Sequence, residues 1–118
     1  MTTKYRFSLI CISIVICLCI NIVFSGKVKA DVGDDIAAAV AGGMSYGDAV
    51  TNVINAGADP AKAVIAAITL GGSGVAGEVT TAAISAGGAN VAAAVTAAAI
   101  SAGADAGDVT SAAIDAGG

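Results

Sequence analysis

A branched aliphatic residue followed three positions later by glycine recurs six times along the chain, at Val40/Gly43, Ile54/Gly57, Ile68/Gly71, Ile84/Gly87, Ile100/Gly103 and Ile114/Gly117. The steps between recurrences are 14, 14, 16, 16 and 14 residues. Near-even self-similarity of this kind marks a repeated structural unit. The unit is barest in Val91 to Gly103, VAAAVTAAAISAG, with Asn90 in front. Asn is a favoured N-cap because its side-chain oxygen accepts a first-turn N–H. Gly suits the left-handed residue that ends a helix. The stretch therefore predicts a short helix capped at both ends.

The other intervals carry the same punctuation. Asp34 or Asp35 precedes Ile36 to Ala41, Ser45 or Asp48 precedes Ala49 to Ala56, and Asp59 precedes Pro60 to Leu70. Ser73 or Glu78 opens a helix through Ala86, Asn90 opens the next, and Asp108 opens Val109 to Ala116. Gly42-Gly43, Gly57, Gly71-Gly72, Gly87-Gly88, Gly103 and Gly117-Gly118 close them. Asp59-Pro60 is the sharpest start, because proline in the first turn loses nothing by lacking an N–H. Acidic residues thus gather at helix starts, where the helix dipole favours negative charge.

Val, Ile and Thr also suit strands, so a β-solenoid is the rival architecture. Strict alternation is missing, however, and 28 of the 88 residues from 31 to 118 are Ala, the best helix former and a poor strand residue. Val50/Val53/Ile54 and Val64/Ile65/Ile68 show helical spacing. On a helix Val91 and Val95 share one side while Ile100 faces the other, so the element is apolar on two sides and expects neighbours on both. Linkers of about four to six residues make successive helices antiparallel neighbours. Two steps span 28 to 32 residues, comparable to one helical hairpin of a solenoid. The reading is an all-α array of about six short Ala/Gly-rich helices, stacked as a small solenoid-like repeat domain over residues 31–118. The sequence stops on the helix-closing Gly117-Gly118, so the expectation is a final helix with no successor to cover it.

Gly57-Ala58-Asp59 and Gly103-Ala104-Asp105 resemble the turn after the second helix of an ankyrin repeat. The resemblance covers three residues per site. The rest of the ankyrin pattern and its longer period are missing, so it implies no function.

The amino-terminal stretch differs in kind. Lys4 and Arg6 precede an apolar run from Phe7 to Phe24, interrupted by Ser8, Ser13 and Asn21, and Val28-Lys29-Ala30 offers small or branched residues at the positions a signal peptidase inspects. This predicts a secretory signal peptide over residues 1–30, cleaved between Ala30 and Asp31. The alternative is an uncleaved anchor: the run nears the shortest length that spans a bilayer, and Lys27 and Lys29 balance the flanking charge. Membrane contact is expected only through this segment. The product is expected outside the cytoplasm, secreted or held in the cell envelope.

Removing that leader changes the chemistry available. Cys11, Cys17 and Cys19 all lie within it, so residues 31–118 offer neither a disulfide nor a thiolate. Lys62 is their one basic residue against nine acidic ones, a formal charge of −8. Such a surface repels phosphate backbones, which argues against nucleic acid as a partner. The whole chain lacks His, and 31–118 lack Trp, Arg and Phe. The usual general base and the best zinc ligands are therefore missing, and no catalytic, cofactor or metal residue is assigned.

The weaker candidates read as structural. Ser85, Ser101 and Ser111 have no base in sequence reach and are expected near helix ends. Gly71-Gly72-Ser73-Gly74 before Val75, Gly77 and Glu78 has the glycines of a phosphate loop without its lysine. Asp105/Asp108 and Asp31 to Asp35 supply oxygen ligands without the count or spacing of a calcium loop. Thr51, Thr80, Thr96 and Thr110 each follow a Val and are expected as ordinary first-turn residues; a regular threonine row would suit an ice surface.

The expectation is an exported, non-enzymatic structural or interaction protein that engages itself or another exported protein, self-associating through its repeat ends. The rival is a membrane-active secreted peptide, since small-residue helices pack within bilayers. Amino-terminal sequencing of the exported product should begin at Asp31; Met1 or Thr2 there would show a retained leader.

Overall fold

The computed structural model describes residues 31–118. The expected leader at 1–30 and its cleavage point lie outside the described residues. Six helices follow one another: α1 (Val32–Ala41), α2 (Tyr46–Asn55), α3 (Pro60–Gly71), α4 (Ala76–Gly87), α5 (Ala92–Ser101) and α6 (Ala106–Asp115). Short 3-10 turns, Ser73–Val75 and Ala89–Val91, lead into α4 and α5. The described residues contain no strand, so the β alternative does not apply to them.

Five of the six helix starts follow two rules, and the sequence anticipated one of them. Asp59 Oδ1 accepts from the backbone N–H groups of Ala61 (2.9 Å) and Lys62 (3.1 Å) at the head of α3. Asp105 Oδ1 does the same for Gly107 (2.8 Å) and Asp108 (3.2 Å) on α6, and Ser45 Oγ accepts from Asp48 N–H on α2. Asp108, expected as the cap of α6, therefore stands inside the first turn, one cap-to-N3 step too far along. Asp34 and Asp35 are likewise inside the first turn of α1, whose N-cap position is Asp31. Two further expectations are corrected. Neither Ser73 nor Glu78 caps α4, and Asn90 does not cap α5. In both, the preceding 3-10 turn feeds straight into the helix and its carbonyls take the amides a side chain would otherwise satisfy, as in Ala76 N–H to Ser73 O and Ala92 N–H to Ala89 O.

The ends are more regular. Among the described residues every one with positive φ is a glycine: Gly43, Gly57, Gly72, Gly88, Gly103 and Gly117. At Gly43 the amide donates to Val40 O (3.0 Å) and the next amide, of Met44, to Ala39 O (3.1 Å). This paired closure recurs at Gly57, Gly103 and Gly117, and it places an aliphatic residue three positions before the glycine. After Ile68 and Ile84 the helix instead runs one residue further, through Gly71 and Gly87, and turns at Gly72 and Gly88. The 3-10 turns that follow account for the longer steps of 16 residues seen in the sequence.

Each helix packs on the next and on the next but one, so α1, α3 and α5 are successive neighbours, as are α2, α4 and α6. The core comprises Ile36, Val50, Val53, Val64, Ile68, Val79, Ile84, Val95 and Val109 with nine buried alanines. Alanine at half of the buried apolar positions lets the backbones approach: a Cβ placed on Gly33 of α1 would lie 3.8 Å from Ala66 Cβ of α3, and one on Gly77 of α4 would lie 4.0 Å from Ala112 Cβ of α6.

The close approach at Gly71 tests this packing. A Cβ on Gly71 would stand 2.8 Å from Val75 Cγ2 and 2.9 Å from Cζ of Tyr46, whereas one on Gly74 would meet nothing within 4 Å. Gly71→Ala should therefore lose about 1–3 kcal/mol of stability by overpacking, despite alanine's better helix propensity. Gly74→Ala should be neutral or slightly stabilising. Chemical denaturation of the two variants reads the difference.

Candidate functional site

The polar residues of 31–118 are distributed as structural fittings. Asp59, Asp105 and Ser45 are occupied as helix caps. Among the described residues no group of three or more His, Cys, Asp or Glu side chains converges in a way that would hold a metal ion. The two aspartate sets considered for calcium divide accordingly: Asp105 holds amides of its own helix, while Asp31, Asp34 and Asp35 line the exposed start of α1.

The remaining sequence candidates do not come together. Thr80 is fully buried, Thr51 and Thr96 are half-buried and Thr110 is exposed, so the four threonines form no common exposed row. They stand in the second helical turn rather than the first. Thr51 Oγ1 donates to Gly47 O of its own helix (3.0 Å), while Thr80 Oγ1 has no hydrogen-bond partner. Ser85 and Ser101 are exposed near the ends of α4 and α5; Ser111 is exposed in the middle of α6, away from either end. Gly71 to Glu78 follows a helix instead of the strand a phosphate loop requires.

One polar contact was not anticipated. Glu78 Oε1 accepts from the backbone N–H of buried Gly47 (2.8 Å), 31 residues away. The carboxylate of α4 thus satisfies a free amide at the start of α2, where the helix dipole also favours it. Gly47 has to be glycine for this: a Cβ there would fall 2.8 Å from Oε1 and 2.9 Å from Cγ of Glu78. A sequence signal exists in the spacing Gly47, Gly77, Gly107, thirty residues apart, with Asp48, Glu78 and Asp108 following them. Glu78 is the one glutamate of the chain, and its extra methylene gives the reach between helices.

The surface offers apolar area instead of a reactive cluster. Met44, Ile65, Leu70, Ile100 and Ile114 are exposed. Val32, Ile65, Ala66 and Leu70, with Asp34 and Lys62 at hand, line an open groove of about 440 Å³ between α1 and α3. No helix among the described residues is long and apolar enough to cross a membrane.

Ile114 stands apart. Residues 76–87, AGEVTTAAISAG, and 106–117, AGDVTSAAIDAG, differ only at Glu78/Asp108, Thr81/Ser111 and Ser85/Asp115. Ile84 of the first is 1% exposed and Ile114 of the second 66%. The same sequence is interior in one copy and surface in the other.

Glu78→Ala should cost about 1–2 kcal/mol, because it strands the buried Gly47 amide. Glu78→Gln keeps an acceptor at the same reach and should recover most of the loss in thermal melts. Compared with known proteins, the chain matches no protein family, no curated protein and no solved structure.

Proposed function

We propose that residues 31–118 act by surface contact, as a non-enzymatic structural or interaction module exported behind the leader at 1–30. In this reading the helices are the units of a small solenoid-like repeat domain, secreted or retained in the cell envelope, and the partner is a second copy or another exported protein. The observation that carries the proposal is the exposure of Ile114 on α6 where its counterpart Ile84 on α4 is buried. An element with an interior-type sequence on its surface is suited to receive a further packed element. The capping role of Asp59, Asp105 and Ser45 supports the same reading, since it accounts for these polar groups without a substrate.

Light scattering on the exported chain, across a hundredfold range of concentration, tests self-contact. A mass that rises with concentration supports it; a monomer throughout argues against the second-copy partner.

A further inference from the structure

Residues 31–118 contain a single sulfur atom, that of Met44, since Met1, Cys11, Cys17 and Cys19 all precede them. Met44 follows Gly43 in the turn between α1 and α2 and is 45% exposed. Its Sδ accepts from Nδ2 of Asn52, itself exposed on α2, at 3.2 Å. Both members of this contact depart from the repeat. The paired closure that ends α1 recurs at Gly57, Gly103 and Gly117, where the next residue is Ala58, Ala104 or Gly118. The places matching Asn52 in α4 and α6 are held by Ala82 and Ala112. A long thioether and an amide thus replace two small residues eight positions apart, and the structure brings them into contact.

Packing does not account for the pair. The turn is closed by backbone groups, Gly43 N–H to Val40 O (3.0 Å) and Met44 N–H to Ala39 O (3.1 Å), and needs no side chain at 44. A thioether sulfur is a weak acceptor, so the bond adds little to stability. Its consequence is chemical. The sulfur has two lone pairs, and either can attack the terminal oxygen of a hydroperoxide. An S–O bond forms as the O–O bond breaks; sulfur loses two electrons and the peroxide gains them. The proton of the transferred hydroxyl passes to the departing oxygen, giving water or an alcohol. The product is methionine sulfoxide, whose sulfur is a stereocentre. In Met44 one lone pair is occupied by the Asn52 N–H. Attack through that pair has to break the hydrogen bond, whereas attack through the other keeps it.

We propose that Met44 is a site of reversible oxidation by hydroperoxides, with the Asn52 amide selecting the face of sulfur that takes the oxygen. The fold tolerates the product, because the oxygen is added to an exposed side chain on a turn held by main-chain bonds. With Cys and Trp absent from residues 31–118, Met44 is the position there at which a peroxide turns an apolar surface group into a polar one. Asn52 acts as a positioning residue. Methionine sulfoxide reductases each accept one epimer, so the face selected also decides which of them reverses the change.

Hydrogen peroxide at neutral pH should add one oxygen to Met44 in the purified chain, at a rate within about tenfold of N-acetylmethionine amide in the same tube, because the thioether is exposed. Trypsin cuts after Lys62, and after Lys29 where the leader is present, so the fragment carrying Met44 holds no other sulfur and its mass reads the event. Met44→Leu should leave that fragment unchanged. One epimer should exceed the other about threefold, a factor set by the modest net strength of one hydrogen bond, read as the fraction restored by each of the two stereospecific reductases. Asn52→Ala installs the residue found at 82 and 112. It should bring the epimers to equality and raise the total rate by no more than about twofold, since one lone pair was free already. The far-UV spectrum and melting temperature should be the same before and after oxidation. Met44 left unmodified when the reference compound is consumed, or a fall in melting temperature on oxidation, would overturn the site. Equal epimers in the unaltered chain, or an excess that survives Asn52→Ala, would overturn the part given to Asn52.

Discussion

Helices of 10 or 12 residues are too short to persist in water even when rich in alanine, because the cost of nucleating each is recovered over few hydrogen bonds. Every helix here therefore depends on its neighbours, and close lateral contact is the constraint from which the rest follows. Alanine contributes little apolar area to such a contact. The valines and isoleucines at its centre supply most of the hydrophobic gain, at roughly 1.5–3 kcal/mol for each fully buried side chain, and the alanines between them bring the backbones close enough for dispersion to add across many atom pairs. Glycine at 71 and 87 belongs to the same economy of space, since each faces a valine of the following turn and a ring from another helix, Tyr46 or Pro60.

That dependence also explains the polar fittings. A short helix has a large fraction of its amides and carbonyls at its ends, and each has to be satisfied locally or by a neighbour. The starts of α3 and α6 use a side chain of the preceding residue, those of α4 and α5 a 3-10 turn, and the start of α2 uses both its own Ser45 and Glu78 from α4. The last of these ties two even-numbered helices together at a point where neither contributes much apolar area. Thr80, buried in α4 without a partner for its hydroxyl, is the exception in this scheme; nothing in the structure accounts for it.

The two ends of the array differ in chemistry although the units are alike. Asparagine and aspartate occupy the outer side of α2, whereas α6 repeats nearly the whole sequence of interior α4 and leaves its threonine and isoleucine in solvent. Acidic side chains stand at helix starts, with the exception of Asp115, the last residue of α6.

Within residues 31–118 the residues by themselves determined what depends on four or five consecutive positions: the number of helices, their glycine ends, the absence of strands, and the Asp59-Pro60 start. Such features are legible because a cap or a left-handed turn is settled within one helical turn of chain. The cap of α6 was misplaced from sequence at Asp108, because only the backbone trace shows that the Asp105 carboxylate faces the free amides. The contact of Glu78 with Gly47, the burial of Thr80 and the opposite fates of Ile84 and Ile114 were decided by tertiary structure alone. They depend on which helix lies alongside, some thirty residues distant, and two nearly identical sequences acquire different environments when one has a neighbour on a side where the other has solvent.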